Sequence, residues 1–141
     1  MEELKKYLDQ DDVLGVVRSA TGDLHFFKHR GVIDLFNLLN TDPDFMRGGC
    51  LADKVIGRGA ALLLIKGGIA EVYARLISLP AIAVLEQNGI KVAYDKKVPH
   101  IINRDGSDIC PVEKLTANTS DPNEAYRLIG RFLQNLNNTE Q

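Results

Sequence analysis

Residues that could do chemistry occur close together in the first half of the sequence. A thiol at Cys50 is followed by a carboxyl group at Asp53 and by the basic side chain of Lys54. We predict that a helix begins at about Leu51, so that these groups and the preceding Gly49 lie at its amino end. Unpaired N–H groups and the helix dipole favour an anion at such a position, and the same setting lowers the pKa of a thiol.

Each of these residues also has a simpler structural interpretation. Small buried cysteines are commonly unreactive, and an acid in the first turn, such as Asp53, stabilises a helix by ~0.3–1 kcal/mol without any ligand. Lys54 and Arg58 are spaced i, i+4 and share a face, which fits either a bound anion or a solvated edge. The candidates from this segment are Cys50 and Asp53 for catalysis, and Gly49, Lys54 and Arg58 for binding a ligand.

A second group of polar residues lies between residues 100 and 114, in a loop that follows a predicted strand. Polar side chains concentrated on a loop beside a sheet are a common arrangement for ligand binding. Loop anchoring or a surface ion pair is the simpler interpretation for a charged residue such as Arg104. The candidates from this segment are Cys110 for catalysis, and Asn103, Arg104 and Glu113 for binding a ligand.

The elements that position these residues follow from hydrophobic periodicity and from glycine and proline signals. A short helix over residues 2–9 precedes a hairpin, in which a β-branched run at Val13–Val17 and a turn at Thr21–Asp23 lead to a strand at Leu24–Phe27. Further elements are a helix that ends before Pro43, the helix from Leu51 to the stop at Lys66–Gly68, a strand over 69–78, a helix over 79–88, a strand over 90–99, a short turn near 112–117 and a helix from about Pro122. This order predicts one α/β domain over residues 1–141, with helices on both faces of its sheet.

Composition and charge restrict the classes of function. Hydrophobic residues make up 45% of the chain and charged residues 26%, which is typical of a soluble globular protein. The formal net charge of −2 and the pI near 5.9 do not favour nucleic-acid binding. No apolar run approaches the ~20 residues that a membrane-spanning helix needs, and the first residues lack the apolar core of a signal peptide. We therefore expect a cytoplasmic protein that binds neither nucleic acid nor a membrane, with Cys50 and Cys110 as free thiols.

Four segments carry a resemblance to a known family: ADKVIGRGAALLL, KGG, VYA, and INR followed by CP.EKL. They are similar to segments of a family of small prokaryotic proteins of unknown function, which is placed in the cytidine-deaminase-like fold. The element order also resembles that fold, in which a hairpin leads to a helix bearing His/Cys-Ala-Glu, then to a strand and to a helix that begins Pro-Cys-x-x-Cys. Leu51–Asp53 falls where the first motif would be, and Pro80–Val84 where the second would be. The resemblance implies a three-layer α-β-α domain with a mixed sheet of about five strands.

The same resemblance implies that zinc chemistry has been lost. A zinc deaminase holds Zn²⁺ with one His or Cys and two further Cys. The corresponding positions here would carry Leu51, Ala81 and Val84, whose side chains have no lone pair to offer a metal. Asp53 would replace the glutamate that moves protons. We therefore expect no metal and no other cofactor, although the two helix N-termini that converge in this fold still favour an anion or a carbonyl oxygen.

Three functions remain open from the sequence. The leading hypothesis is a non-zinc deaminase-fold protein that binds a small nucleotide-like or nucleobase-like ligand, with Cys50 or Cys110 as a nucleophile or sulfur carrier. The second hypothesis is a non-enzymatic regulatory or scaffold protein that assembles as a homo-oligomer. The third is a metal-dependent hydrolase with relocated ligands at Cys50, Cys110 and His100. Neither the ligand nor a reaction is identified, so whether the chain is an enzyme stays open.

Overall fold

The computed structural model describes residues 1–103 and 105–140, and in them five strands form one mixed sheet. The strands are β1 (Gly15–Arg18), β2 (Leu24–Phe27), β3 (Cys50–Ile56), β4 (Glu71–Ser78) and β5 (Lys91–Val98). The helices are α1 (Glu2–Tyr7), α2 (Ile33–Thr41), α3 (Arg58–Gly67), α4 (Leu79–Gln87), α5 (Pro111–Leu115) and α6 (Pro122–Glu140). No helix in the described ranges combines the length and the apolar character that crossing a bilayer requires.

The strands are arranged in the order β2-β1-β3-β4-β5. β1 is antiparallel to both β2 and β3, whereas β3, β4 and β5 are parallel to one another. Helices α3 and α4 provide the crossovers that parallel neighbours need. Because Gly15 at the start of β1 pairs with Asp53 in β3, the amino end of β1 lies towards the carboxyl ends of the three parallel strands.

Helices cover both faces of this sheet. Neighbouring strand residues point to opposite faces, and Val16 and Val17 belong to two different hydrophobic clusters. Val16, Ala52 and Tyr73 pack with residues of α1 on one face. Val17 and Leu51 pack on the other face in the larger core, to which α2, α3 and α4 contribute. α6 packs against α2, α3 and α5. The predicted α/β class and the five-stranded mixed sheet are confirmed.

The predicted helix that begins at Leu51 is wrong in its first half. Residues Cys50–Ile56 form strand β3, and the helix begins only at Arg58, after Gly57 in an extended conformation. β3 pairs with β1 on one edge and with β4 on the other, so its backbone hydrogen bonds are satisfied on both sides. This pairing outweighs the two charged residues, Asp53 and Lys54, that had made the segment look like the first turn of a helix.

This correction separates the three positions that were expected to surround one metal site. Leu51 pairs with Val72, six residues before the end of β4 at Ser78, where α4 begins. At ~3.3 Å per strand residue, Leu51 lies roughly 20 Å along the strands from the start of α4. Leu51, Ala81 and Val84 are all buried in the apolar core. The expectation that they mark the place of a lost zinc site is therefore wrong.

Candidate functional site

A cleft of about 900 Å³ opens at the carboxyl ends of the parallel strands. Its volume lies in the range of small-molecule sites, and the carboxyl ends of parallel strands are the usual place for a ligand in α/β folds. Its walls come mainly from four parts of the chain: residues 29–32 before α2, residues 53–55 in β3, Gly57, Gly59 and Ala60 at the start of α3, and residues from the stretches 98–103 and 110–113 at and after the end of β5.

Asp53 occupies a position in the wall of this cleft that depends on a glycine in the neighbouring strand. A Cβ atom added to Gly15 would lie 3.0 Å from Oδ2 of Asp53 and 3.0 Å from Cδ2 of Phe27. The missing side chain at Gly15 therefore leaves the space that Asp53 and Phe27 share. The other carboxyl oxygen of Asp53, Oδ1, accepts a hydrogen bond of 3.2 Å from the N–H of Val55.

The surroundings of Asp53 raise its pKa. Burial raises the pKa from its usual value of 3.8 to about 7, and the charge of Asp34 adds to the rise, although the N–H groups of Val55 and Lys54 lower it. In the described part of the chain no cationic side chain forms an ion pair with Asp53, and the ammonium of Lys54 donates to the carbonyl of Gln10 at 3.2 Å instead. The carboxyl group of Asp53 therefore exchanges its proton near neutral pH.

A histidine with a carboxylate partner lies on the wall formed by residues 29–32. The ring Nδ1 of His29 is 2.8 Å from Oδ1 of Asp34, which lies in the first turn of α2. The other oxygen, Oδ2, accepts hydrogen bonds from the N–H of Lys28 at 2.6 Å and of His29 at 2.8 Å. Burial raises the pKa of Asp34. The hydrogen bonds to Asp34 and the charge of His29 lower its pKa by more, so the pKa lies below its usual value.

Glu113 joins the elements that frame the cleft. Its side chain is 4% exposed, and Oε2 accepts hydrogen bonds from the N–H of Arg58 at 2.6 Å and from the hydroxyl of Ser78 at 3.1 Å. Oε1 accepts a hydrogen bond from the N–H of Ile101 at 2.8 Å. Ser78 in turn accepts from the N–H of Ala81, so it caps α4. One buried carboxyl group therefore connects the first turns of α3 and α4 with the loop after β5.

The cleft therefore offers proton-transferring groups and a thiol. The groups that line it are Asp53, His29, His100 and Cys110, beside the buried Glu113. Among the residues that the structure describes, no group of three or more His, Cys, Asp or Glu side chains is placed to hold a metal ion. The arrangement suits acid–base or thiol chemistry on a small ligand.

Comparison with known proteins identifies the family. The sequence matches the model of TM1506, a domain of unknown function (DUF1893), over residues 3–133. The chain belongs to the DUF1893 family. A crystal structure of a DUF1893 family protein (TM1506) from Thermotoga maritima is similar to it, with a TM-score of 0.81 and 28% sequence identity over 91% of this chain and 86% of that chain. No curated protein matches the chain. The predicted membership in a family of unknown function is confirmed.

Five of the predicted site residues in this DUF1893 chain do line the cleft. They are Asp53, Lys54, Asn103, Cys110 and Glu113. The side chain of Asn103 organises its own loop, because Oδ1 accepts a hydrogen bond of 3.1 Å from the N–H of Ser107. The fourth loop candidate, Arg104, lies outside the described residues. Residues that the sequence assigned to two separate segments thus border one cleft, and their roles stay predictions.

Three other predicted site residues, Gly49, Cys50 and Arg58, do not line the cleft. Gly49 lies in the turn before β3, where a Cβ atom would come within 2.3 Å of the carbonyl oxygen of Arg18. The guanidinium of Arg58 donates to the carbonyl oxygens of Thr119 at 2.6 Å and Thr116 at 3.0 Å, so it fastens the segment between α5 and α6 to α3. Gly49 and Arg58 therefore have structural contacts that explain their presence.

Cys50 lies at the amino end of β3, with its sulfur 3.9 Å from a carboxyl oxygen of Glu71. The expected reactivity of Cys50 depended on a helix beginning at Leu51, and residues Cys50–Ile56 form a strand instead. At ~3.3 Å per residue, the length of β3 places Cys50 roughly 20 Å from the strand end where Cys110 lines the cleft. The two thiols are both free. The suggested metal site of Cys50, Cys110 and His100 is therefore wrong.

Sequence reasoning missed the pair formed by His29 and Asp34. His29 and Asp34 were not among the predicted site residues. An acid in the first turn of a helix, five residues after a histidine in the preceding turn, is the signal that the sequence did contain. Gly15 was also missed, because only the register of β1 against β2 and β3 brings it beside Asp53.

Proposed function

We propose that the cleft binds a small ligand of nucleobase size, rich in nitrogen and oxygen atoms, and that Asp53 recognises it. The observation that carries the proposal is the position of Asp53: its carboxyl group lines a cleft of about 900 Å³ and has no ion-pair partner among the described residues. A partly buried acid without a cation destabilises a fold when it ionises, so a ligand is a good reason for its presence.

The chemistry of Asp53 favours a heterocyclic ligand. With a pKa of about 7, the carboxyl group is present near neutral pH both as an acid, which donates and accepts hydrogen bonds, and as a carboxylate, which only accepts. The protonated form matches the adjacent donor and acceptor of an amide or amidine edge. Apolar side chains of Phe27, Leu76, Val98 and Ile101 line the same cleft and would contact the faces of a planar ring.

The relation to the cytidine-deaminase-like fold also belongs to this proposal. In that fold the helix after the hairpin and the helix after the next strand bear the site. By element order, we propose that α2 and α3 take the places of these helices, instead of the helices that the sequence had suggested. Residues 29–32 before α2 border the cleft, as do Gly57, Gly59 and Ala60 at the start of α3. Gly57–Ala60 contains no cysteine, which supports ligand binding at this place without a zinc ion held by thiolates.

The proposal is tested by isothermal titration with a panel of purine and pyrimidine bases, nucleosides and nucleotides. We expect at least one to bind, and the variant Asp53→Asn to bind it at least about tenfold more weakly, equivalent to about 1.4 kcal/mol. Cys50→Ser, which alters a side chain at the opposite end of β3, is the matched control and should bind like the wild type. Absence of binding across the panel, or equal binding by the Asp53 variant, would contradict the proposal.

Cys110 adds a thiol to the proposed binding site, because it lines the cleft and precedes α5. A thiol-dependent activity therefore stays a proposal for Cys110 and has lost its structural support for Cys50. The alternative function, a regulatory or scaffold homo-oligomer, stays a prediction.

A further inference from the structure

The two carboxyl oxygens of Asp34 make different contacts, one with the backbone and one with the ring of His29. Oδ2 holds the turn before α2 through the N–H groups of Lys28 and His29. Oδ1 is left for the ring of His29, 2.8 Å from Nδ1. Since the backbone contacts already fix the turn, the imidazole is not needed to hold it. The ring contact therefore calls for another explanation.

The contact between Asp34 and His29 fixes which ring nitrogen is free. Asp34 is ionised at neutral pH because its pKa lies below the usual value, so its oxygen accepts and Nδ1 of His29 carries the hydrogen. In the neutral ring Nε2 then keeps its lone pair. The His29 side chain is 74% exposed and the residue lines the cleft, so this nitrogen is open to a ligand or to water.

His29 and Asp53 both line the cleft, on chain segments that lie on either side of β1. Gly15 pairs with Phe27 in β2 and with Asp53 in β3, so these two residues are two strand spacings apart, about 10 Å between Cα atoms. His29 follows Phe27 by two residues. The charge of Asp34 also contributes, after burial, to the raised pKa of Asp53. Both side chains border the same cleft of about 900 Å³, which has room for a small ligand and a water molecule.

We propose that His29, oriented by Asp34, is a general base and Asp53 a general acid for hydrolysis of a carbon–heteroatom bond in a ligand bound in this cleft. Nε2 of His29 takes a proton from water while the water oxygen bonds to the electrophilic carbon. Asp53 gives its proton to the departing nitrogen or oxygen as the bond from carbon to that atom breaks. The imidazolium then loses its proton and the Asp53 carboxylate regains one, both through solvent, so the net reaction adds one water across the broken bond. This inference rests on the proposed function, since it assigns chemistry to the same cleft.

The orientation of His29 is tested by ¹⁵N-detected imidazole NMR of the full chain above pH 7. We expect His29 to be the tautomer with hydrogen on Nδ1, and Asp34→Asn to abolish this preference, because an amide at this position no longer requires a donor. His25 packs against Phe27 and Phe45 and has no carboxylate partner among the described side chains, so it is the internal control, whose spectrum should not change in the variant. A tautomer of His29 with hydrogen on Nε2 in the wild type would overturn the proposal.

The chemistry is tested with two chromogenic probes, p-nitrophenyl acetate and p-nitroacetanilide. The phenolate of the first leaves without a proton, whereas the aniline of the second leaves only when protonated. We expect hydrolysis of both probes above the buffer rate, at least a tenfold loss for both in His29→Gln, and a comparable loss only for the anilide in Asp53→Asn. General acid and general base groups contribute factors of about 10²–10⁴ to such steps. No hydrolysis above buffer, or equal rates in wild type and His29→Gln, would overturn the proposal.

Two measurements keep this inference separate from ligand binding. Thermal melting shows whether His29→Gln is folded, and the backbone contacts of Asp34 remain available in that variant. If His29→Gln binds the nucleobase and hydrolyses both probes as the wild type does, the acid–base mechanism is contradicted and the binding function remains. Hydrolysis of the probes without binding of any nucleobase would remove the ligand class and leave the mechanism.

Discussion

At the scale of single residues, Asp53 carries a carboxyl group whose ionised form the fold disfavours. Its pKa of about 7 lies well above the usual value of 3.8. Each pKa unit corresponds to about 1.4 kcal/mol between the two protonation states. Ionised Asp53 therefore lowers the stability of the folded state at and above neutral pH. Such a cost is common where a residue is retained for activity rather than for stability.

The first prediction concerns the pH dependence of stability. Because the folded state keeps the proton of Asp53 up to about pH 7 and the unfolded state loses it near 3.8, the contribution of Asp53 to stability falls as pH rises through this window. Urea unfolding should therefore show wild type losing roughly 2–4 kcal/mol relative to Asp53→Asn between about pH 4 and about pH 8. Asp11→Asn, which changes an exposed acid, is the control and should parallel the wild type.

The second prediction distinguishes the two thiols. Cys110 lines the cleft and Cys50 lies at the other end of β3, so a ligand bound in the cleft should protect only Cys110. We expect a saturating ligand identified by titration to slow alkylation of Cys110 by iodoacetamide at least about fivefold, with little change at Cys50. Peptide mass spectrometry measures both sites in one sample. Protection of both thiols, or of neither, would place the ligand elsewhere.

At the scale of elements, the starts of α3 and α4 depend on one carboxyl group. Glu113 accepts hydrogen bonds from the N–H of Arg58, from the hydroxyl of Ser78 and from the N–H of Ile101, and it is buried. Buried donors that lose their acceptor cost about 1–3 kcal/mol each. The geometry of the cleft therefore depends on a residue in α5, far along the chain from the helices whose first turns it supports.

The third prediction follows from these contacts. Glu113→Gln keeps the shape but replaces one accepting oxygen by an NH₂ group, so at least one donor loses its acceptor. We expect a loss of roughly 2–4 kcal/mol in the free energy of unfolding, measured by denaturant titration at neutral pH. Glu124→Gln, in the exposed first turn of α6, is the matched control and should change stability by less than about 0.5 kcal/mol. Equal effects of the two substitutions would show that the Glu113 contacts contribute little.

Most elements could be predicted from local signals, and the failure at β3 has a physical cause. The hairpin was indicated by a β-branched run and its turn, and α4 by Pro80 near its start and Gly89 after its end. In β3, Asp53 and Lys54 interrupt the apolar pattern of a central strand. Their segment becomes a strand because β1 and β4 supply hydrogen bonds on both edges. Such long-range pairing cannot be inferred from the sequence of the segment alone.

At the scale of the whole molecule, the cleft exists because distant parts of the chain meet at one end of the sheet. Asp53, Cys110 and Glu113 were identified from the sequence, since they stand out as polar or reactive residues in the two unusual segments. Gly15 and the pair of His29 with Asp34 could not be assigned to the same cleft, because their proximity to Asp53 follows from strand order and register. The sequence therefore singled out several residues that border the cleft, but it assigned those of residues 51–56 to a helix where the structure has β3.

The central claim is that Asp53 holds its proton near neutral pH at the wall of an open cleft. Side-chain ¹³C NMR measures this directly, by following the Asp53 carboxyl carbon from about pH 3 to about pH 9 with Asp53→Asn to assign the signal. The account predicts a midpoint near 7 for this carbon. A midpoint near the usual value of 3.8 would contradict it, because an ordinary exposed acid would then stand where the proposed function needs a perturbed one.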